Sequence, residues 1–400
     1  MRILIVNFEY PPLGGGGGVF NALLAQELAK RHEVTVLTSQ GLGLPAESTE
    51  KGVKVVRVPV YLRKQAAAAN LLSMLMFLPM GIAAGRRLCK TNQYDVINTH
   101  FVLPTGPVGD ALAKSTGIPH VLTIQGGDIY DPSKWTSPHR HALLRQWVSR
   151  LLRRAHVVVW SSSNLLLNMH RFYGPEIQGV RIPLGIRRPE PGVGERRRYG
   201  IGKDEILLVT VGRLVARKAV NQLIHMMSAM KDERVRLLII GSGPQEMALK
   251  HQVHESGLDH RVKFLGQVAE SEKFQILRMC DVYVSTSQHE GFGLVFLEAM
   301  ACGLPVVCYN FGGQTDFLED GTTGYLVGLN DQDCFRDRCL LLIKDANLRG
   351  KIGRDNSNRA EEYYIENCAL KYEHIFNEAR GGQEIHGTSS VCLVASGRDA

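Results

Sequence analysis

The sequence predicts an α/β protein built from two doubly wound, Rossmann-like domains. Short apolar runs alternate with longer amphipathic stretches along most of the chain, as strands and helices do around parallel sheets. Glycine-rich turns follow several of these runs. The length of 400 residues exceeds that of one typical domain, and an apolar share of 44% supplies enough side chains for two cores.

The first half opens with a βαβ unit. Strand Arg2–Phe8 leads through the glycine loop Gly14–Gly18 into helix Val19–Arg31 and strand Glu33–Thr38. The dinucleotide pattern G-x-G-x-x-G does not fit, because its third glycine falls on valine, phenylalanine or asparagine in every register. NAD binding is therefore poorly supported. A glycine turn without a ligand remains the alternative to a phosphate-binding loop.

Two later segments invite a membrane interpretation. Ala66–Gly85 has no charged residue and is long enough to span a bilayer. Its polar residues and Pro79 favour a helix packed on the sheet instead, with reversible membrane contact as the alternative. Leu143–Arg154 predicts a basic amphipathic helix, whose arginines either face water over an apolar core stripe or contact an anionic surface.

Polar residues end two strands of the first half. The segments Val96–Pro104 and His120–Asp128 each pass from apolar to polar residues, and ligands gather at such strand ends in open α/β sheets. Gln125 cannot take a proton, but its amide can orient a hydroxyl. Asp128 is the more credible acid/base or sugar-orienting group, and His100 is the other candidate, with a structural role as its alternative.

The second half repeats the pattern after a linker. Arg187–Gly202 is rich in proline, glycine and arginine, as linkers are. Strand Glu205–Val211 then precedes the basic turn Gly212–Lys218. Exposed cations after a strand are common, so this turn alone is a weak indication of anion binding.

A longer stretch with features of a ligand-binding loop is Glu290–Pro305. Glu290 and Glu298 stand eight positions apart with Gly-Phe-Gly between them, after the predicted strand Val282–Ser287 and around the start of the helix Leu294–Met300. N–H groups at a helix start suit a phosphate, and carboxylates accept hydrogen bonds from sugar hydroxyls. The alternative is a helix capped by Glu290, with Glu298 on its solvated face.

This stretch resembles the Glu-seven-residues-Glu motif of retaining family-4 glycosyltransferases. The resemblance covers about residues 1–376 and implies the GT-B fold, in which two Rossmann-like domains face each other across a cleft. It places Glu290 near the donor sugar and Glu298 near the nucleotide ribose. The backbone against the sugar and diphosphate would be that of Gly291, Phe292, Gly293 and Leu294.

Other segments match the same family. The resemblance implies that Arg213 and Lys218 clamp the donor diphosphate, that Gly15 and Gly16 lie beside the diphosphate and acceptor, and that Val268 lies near the base. Gln125 stands where the family usually has histidine, which puts any histidine role there in doubt. The expected catalytic residues are Glu290, Asp128 and Gln125.

The resemblance also predicts organisation and partners. We expect an acceptor-side domain at 1–186, a nucleotide-sugar domain at 187–360, a helix crossing back at 361–380 and a disordered tail at 381–400. The expected partners are a nucleotide-sugar donor and a glycan or lipid-linked acceptor, with no metal or other cofactor. Asp331-Gln332-Asp333 resembles a metal motif but is more simply a helix cap.

Charge and cysteine content suggest a location. Residues 1–186 carry 20 Lys and Arg against 10 Asp and Glu, whereas the rest carries 27 against 29. A basic first half favours an anionic partner, such as the inner face of a membrane, and no nucleic-acid module accompanies the charge. The eight cysteines form no CxxC pair, and no signal peptide opens the chain, so we expect a cytoplasmic protein.

Two other functions stay open on the sequence. Gln125 in place of histidine is compatible with a nucleotide-sugar-binding protein that lacks transfer activity. Another GT-B enzyme, such as a phosphorylase or an epimerase, is the second alternative.

Overall fold

The structure is a computed structural model that describes residues 1–60 and 70–382. These residues form two compact units. The first unit comprises residues 1–60, 70–186 and 365–382, and the second comprises 187–364. Each unit holds one sheet, of eight and six strands respectively, flanked by helices.

The first unit is a mostly parallel sheet with the strand order β3-β4-β2-β1-β5-β6-β7-β8. Only β3 runs antiparallel, against β4. Chain order reverses at β1, which pairs with β2 on one side and with β5 on the other. The strands are β1 Arg2–Asn7, β2 Glu33–Gln40, β3 Glu47–Glu50, β4 Val53–Pro59, β5 Val96–His100, β6 His120–Thr123, β7 Val157–Trp160 and β8 Val180–Arg181. Its first five helices are α1 Gly16–Leu28, α2 Leu71–Thr91, α3 Gly106–Thr116, α4 Ala142–Arg154 and α5 Ser163–Tyr173.

Helix α1 begins inside the glycine run, so the predicted bounds Val19–Arg31 were wrong at both ends. The turn before it is tight because Gly14 has φ +107° and the Gly15 N–H donates to Glu9 Oε2 at 2.9 Å. The helix then starts at Gly16. The strand pair β3–β4 was not predicted, since Glu47–Glu50 is polar and partly exposed.

Helix α2 confirms the prediction of a packed helix, with different bounds. Residues 66–69 of the predicted segment lie outside the described residues. Phe77, Gly81 and Leu88 are buried, and the helix contacts α3, β2 and β4. It is also the one helix in the described part of the chain that is long and apolar enough to cross a membrane by length and composition.

The second unit has the strand order β11-β10-β9-β12-β13-β14, and all its strands run parallel. Chain order again reverses at its centre, between β9 and β12. The strands are β9 Ile206–Val211, β10 Val235–Ile240, β11 Val262–Gly266, β12 Val282–Ser285, β13 Val306–Tyr309 and β14 Gly324–Val327. The helices are α6 Val220–Ala229, α7 Glu246–Glu255, α8 Glu270–Met279, α9 Leu294–Ala301, α10 Gln332–Lys344 and α11 Ala346–Ala360.

The structure corrects two more predicted bounds, one in each unit. Strand β12 ends at Ser285, two residues before the predicted end, because Thr286 Oγ1 donates to Ala219 O and the chain turns away from the sheet. The last helix, α12 Ile365–Arg380, begins four residues later than predicted. A 3-10 turn at Glu361–Tyr363 and an extended Tyr364 precede it. Of the predicted disordered tail, residues 383–400 lie outside the described residues.

Candidate active site

The loops that follow β9 and β12 meet at the carboxyl edge of the second sheet. These two strands are neighbours at the position where chain order reverses, which is the usual ligand crevice of such sheets. The loop after β9 carries Arg213, Arg217 and Lys218, and the loop after β12 carries Glu290. Gln288 N–H donates to Arg217 O at 2.8 Å and fastens the two loops together.

Glu290 lies between two cations. Lys218 Nζ donates to Glu290 Oε1, and Arg217 Nη1 lies 3.7 Å from Glu290 Oε2. The Glu290 side chain is buried. Burial alone would raise the pKa of its carboxyl, but the charges of Lys218 and Arg217 outweigh that effect and hold the pKa below its usual value. Glu290 is therefore ionised at neutral pH.

Arg213 is the uncommitted cation of this cluster. Its side chain is exposed and makes no hydrogen bond or ion pair with any residue that the structure describes. Arg213 and Lys218 line one small pocket together with Gly212 and Ser285. The structure thus brings together the two cations that the sequence assigns to the diphosphate. Arg213 is free to bind an anion, whereas Lys218 is shared with Glu290.

The Gly-Phe-Gly loop is fixed from both sides. Gly293 precedes α9 with φ +95°, and a Cβ there would lie 2.5 Å from Phe296 Cδ2. Phe292 is buried against Phe317, with 5.3 Å between ring centroids. Gly313 N–H donates to Glu290 O at 2.8 Å. The half-buried Gly291 and Leu294 complete the turn that leads into the N-terminus of α9.

Glu298 is buried on α9 instead of solvated, so the alternative that placed it on an exposed face was wrong. Lys273 Nζ of α8 lies 2.8 Å from Glu298 Oε1 and 2.9 Å from Glu270 Oε2. Burial raises the pKa of Glu298, and the neighbouring Lys273 opposes that shift. Val268 is half-buried in the loop between β11 and α8, two residues before the first residue of that helix.

The polar strand ends of the first unit form a second group of candidate residues. Asp128 Oδ2 accepts the Val102 N–H at 2.7 Å, and its Oδ1 accepts the N–H groups of Gln125 at 3.1 Å and Gly126 at 2.7 Å. Burial raises the pKa of Asp128 to about 6, against the effect of these backbone donors. Asp128 thereby fastens the loop that carries Gln125, and its acid/base role stays a prediction.

His100 and Gln125 lie side by side. Gln125 Nε2 is 2.9 Å from His100 Nδ1, and His100 is completely buried at the end of β5. In the glycine loop of the same unit, Gly15 precedes α1 and Gly16 is its first residue. A Cβ at Gly15 would meet no atom within 4 Å, so the backbone there is open to a ligand.

Two residues of the site were missed by sequence reasoning. Arg217 contacts Glu290. The family resemblance, however, assigned only Arg213 and Lys218 of this loop to the diphosphate. Lys273 contacts Glu298 from a helix whose sequence shows no motif. Lys273 follows Glu270 by three residues, which predicts an ion pair on one helical turn. That spacing gave no indication that Lys273 also contacts Glu298.

Asp331 behaves as the predicted helix cap. Its carboxylate accepts the Cys334 N–H at 3.1 Å at the start of α10. No group of three or more His, Cys, Asp or Glu side chains in the described ranges could hold a metal ion.

Known proteins resemble this chain over most of its length. The family model of the glycosyl transferases group 1 matches residues 194–359, and that of the glycosyl transferase 4-like domain matches residues 15–185. An uncharacterised glycosyltransferase of Methanocaldococcus jannaschii is 30% identical over 391 residues, which cover 95% of this chain and 98% of that protein. The N-acetyl-α-D-glucosaminyl L-malate synthase of Bacillus anthracis is 27% identical over 388 residues, covering 94% and 97%.

A solved structure shares the fold. Sucrose-phosphate synthase of Thermosynechococcus elongatus superposes with a TM-score of 0.84 at 22% identity, over 96% of this chain and all of that one. The predicted class, two Rossmann-like domains of the GT-B type, is confirmed.

Proposed function

Because this chain belongs to the group 1 glycosyltransferases of the GT4 type, we propose that it moves a sugar from a nucleoside diphosphate to an acceptor hydroxyl with retention of anomeric configuration. The observation that carries this proposal is the cluster at the carboxyl edge of the second sheet. An ionised Glu290 lies there between Lys218 and Arg217, with Arg213 in the same pocket as Lys218.

The cations account for departure of the leaving group. When the sugar–phosphate bond breaks, the nucleoside diphosphate gains negative charge, and fixed cations stabilise that charge. The Arg213 guanidinium makes no hydrogen bond or ion pair with any residue that the structure describes, so it is available for this purpose, and Lys218 lines the same pocket. The N–H groups at the start of α9 add partial positive charge. Since these groups do the work of a cation, we propose that no divalent metal is required.

The contacts of Glu290 argue against a covalent sugar–enzyme intermediate, and the proposal of retention itself rests on the family resemblance. Glu290 is bound by Lys218 and Arg217, so its oxygens are poor nucleophiles and suit hydrogen bonds from the donor sugar. Gln125 cannot act as a nucleophile or a base. The acceptor hydroxyl would then attack from the face that the diphosphate leaves, as the family resemblance implies. Glu298 would accept the ribose hydroxyls.

Thermal-shift titration with UDP, GDP, ADP and their common sugars tests the donor assignment. A ligand present at 100 times its dissociation constant adds roughly 2.7 kcal/mol of stability. One nucleotide should raise Tm in the wild type and raise it less in Glu298→Ala. NMR of the product anomer then tests retention. No shift with any nucleotide, or an inverted product, would contradict the proposal.

We also propose that the enzyme meets its acceptor at an anionic membrane surface, from the cytoplasmic side. Helix α2 turns Leu71, Leu72 and Leu75 outward, with exposed fractions of 64%, 49% and 50%. Its other end carries the exposed Arg86 and Arg87. A helix that exposes both apolar and basic side chains can bind anionic bilayers reversibly.

Helix α4 adds to this basic surface. It contacts α3, which contacts α2, so the three helices lie in one layer. Arg145 and Arg150 of α4 are exposed and have no ion-pair partner among the residues in the described ranges. A lipid-linked acceptor with a phosphate would find complementary charge there.

Flotation with vesicles tests the membrane proposal. The wild type should float with phosphatidylglycerol vesicles in low salt and remain at the bottom with phosphatidylcholine alone. The triple variant Leu71→Ser, Leu72→Ser, Leu75→Ser should lose flotation, whereas Leu341→Ser, which changes an exposed leucine of the second unit, should keep it. Flotation that is equal in all variants, or absent in the wild type, would reject the contact.

A further inference from the structure

The orientation of the Gln125 side chain can be traced back to Asn98. The Asn98 Nδ2 group donates to Val121 O and to Thr123 Oγ1, both at 3.1 Å. Its Oδ1 therefore faces His100, whose Nε2 lies 2.7 Å away. Because an amide oxygen only accepts hydrogen bonds, the proton of the His100 ring is on Nε2.

His100 is held as a neutral ring. It is completely buried, with Phe20 and Tyr372 as aromatic neighbours at centroid distances of 6.0 and 6.2 Å. Burial lowers the pKa of His100 to about 3, so the imidazolium form is absent at neutral pH. With the single proton on Nε2, His100 Nδ1 is a lone-pair acceptor.

Only one orientation of the Gln125 amide gives His100 Nδ1 a hydrogen-bond donor. Gln125 Nε2 lies 2.9 Å from His100 Nδ1 and donates to it. A flipped amide would bring its oxygen against the lone pair of Nδ1. Gln125 is half-buried, and its Oε1 accepts no hydrogen bond from any residue of the described ranges.

We propose that His100 is a positioning residue that fixes Gln125 so that its Oε1 accepts a hydrogen bond from a hydroxyl of the donor sugar. This inference rests on the proposed transferase function. Neither side chain transfers a proton in this arrangement, because the amide is neutral and His100 keeps its proton on the nitrogen that faces Asn98. Gln125 stands where the family usually has histidine. It would recognise the sugar hydroxyl by the direction of a hydrogen bond, without proton transfer.

The tautomer is tested without any substrate. In nitrogen-15 NMR of the labelled full chain, the signal of His100 should show a protonated Nε2 and an unprotonated Nδ1 throughout the neutral pH range. The signal is assigned by its loss in His100→Phe, a change that retains a ring in the buried position. If His100→Phe fails to fold, contacts of the ring with Phe20 and Tyr372 assign the signal instead. A proton on Nδ1, or a charged His100 ring, would overturn the proposal.

A double-mutant cycle tests the action of His100 through Gln125. His100→Phe and Gln125→Ala should each lower kcat/KM about tenfold or more, as expected when a bound hydroxyl loses its partner. The double variant should be no worse than Gln125→Ala alone. Independent losses that multiply would show a merely structural role for His100 and overturn the proposal.

Two further results separate the possible failures. Gln125→Ala should weaken binding of the nucleotide sugar in thermal-shift titration and leave binding of the free nucleotide unchanged. A change in the acceptor KM alone would overturn the assignment to the donor sugar. If the wild type transfers no sugar at all, the proposed function fails, while the NMR experiment still decides the orientation of Gln125.

Discussion

Lys273 Nζ lies 2.8 Å from Glu298 Oε1, and both side chains are buried although they belong to different helices. Helix α9 is otherwise apolar, so Glu298 is its only charged side chain. Its second oxygen, Oε2, has no hydrogen-bond partner in the described part of the chain. The ion pair to Lys273 is therefore the main compensation for burying this carboxylate.

Lys273→Met should destabilise the protein by about 3–5 kcal/mol, because a buried carboxylate would lose its partner. The double variant Lys273→Met, Glu298→Leu should recover most of that loss, since neither charge is then buried alone. Urea unfolding measures both. The loss in Lys273→Met should shrink as the pH falls into the acid range, where an unpaired buried glutamate takes up a proton. Additive losses in the double variant would contradict the coupling.

Glu290→Gln should increase the affinity of the site for anions and lower the rate of sugar transfer. The change removes the negative charge between Lys218 and Arg217, and Lys218 lines the same pocket as Arg213. Pyrophosphate should then raise Tm more than it does in the wild type, while kcat falls about tenfold or more. The control is Glu246→Gln, which alters only a surface pair with Lys250. An unchanged response to pyrophosphate would remove Glu290 from the anion site.

Gly312→Ala should destabilise the second unit and disturb the Glu290 loop. Gly312 has φ +127°, and a Cβ there would lie 2.6 Å from Glu290 O. We expect a loss of about 2 kcal/mol or more, together with reduced transfer. Gly321→Ala is the matched control, because Gly321 has φ +76° and a Cβ there would meet no atom within 4 Å. Gly321→Ala should lower the free energy of unfolding by only about 1 kcal/mol and leave sugar transfer unchanged. Equal effects of the two changes would refute the close-contact argument.

Asp331→Ala should cost about 1 kcal/mol of stability and nothing in transfer. Its carboxylate caps α10 through the Cys334 N–H, and a lost cap has this magnitude. Transfer assays in EDTA and in magnesium should give the same rate for variant and wild type. A rate that collapses in EDTA, or in this variant, would contradict the metal-independent proposal.

Clear apolar runs and glycine-rich turns in the sequence made much of the fold predictable. Apolar strands such as β1 and β9, followed by glycine turns, require parallel sheets wherever helices intervene. Strand β3, the antiparallel partner of β4, escaped detection because its polar, partly exposed residues give no apolar alternation. The early start of α1 escaped because five glycines in a row favour no helix, whereas the hydrogen bond from Gly15 to Glu9 ends the loop.

The site was predictable where residues adjoin in sequence and unpredictable where they meet through folding. Glu290 and Glu298 stand in one recognisable stretch. Arg217 and Lys273 reach them from other loops and helices, at separations along the chain at which sequence alone gives no contact. The arrangement of Asn98, His100 and Gln125 likewise depends on β5 and β6 lying side by side.

Helix α12 has a consequence for synthesis on the ribosome. It joins a unit whose other elements all precede residue 187, and it buries Tyr372 and Phe376 there. Tyr372 is also a neighbour of Phe20 and His100. The first domain therefore cannot be completed when its own strands have emerged, and it has to wait until the whole second domain has been translated. A nascent chain stopped at residue 186 would expose the side of α1 that Tyr372 covers, and should be a preferred client of chaperones that hold unfinished domains.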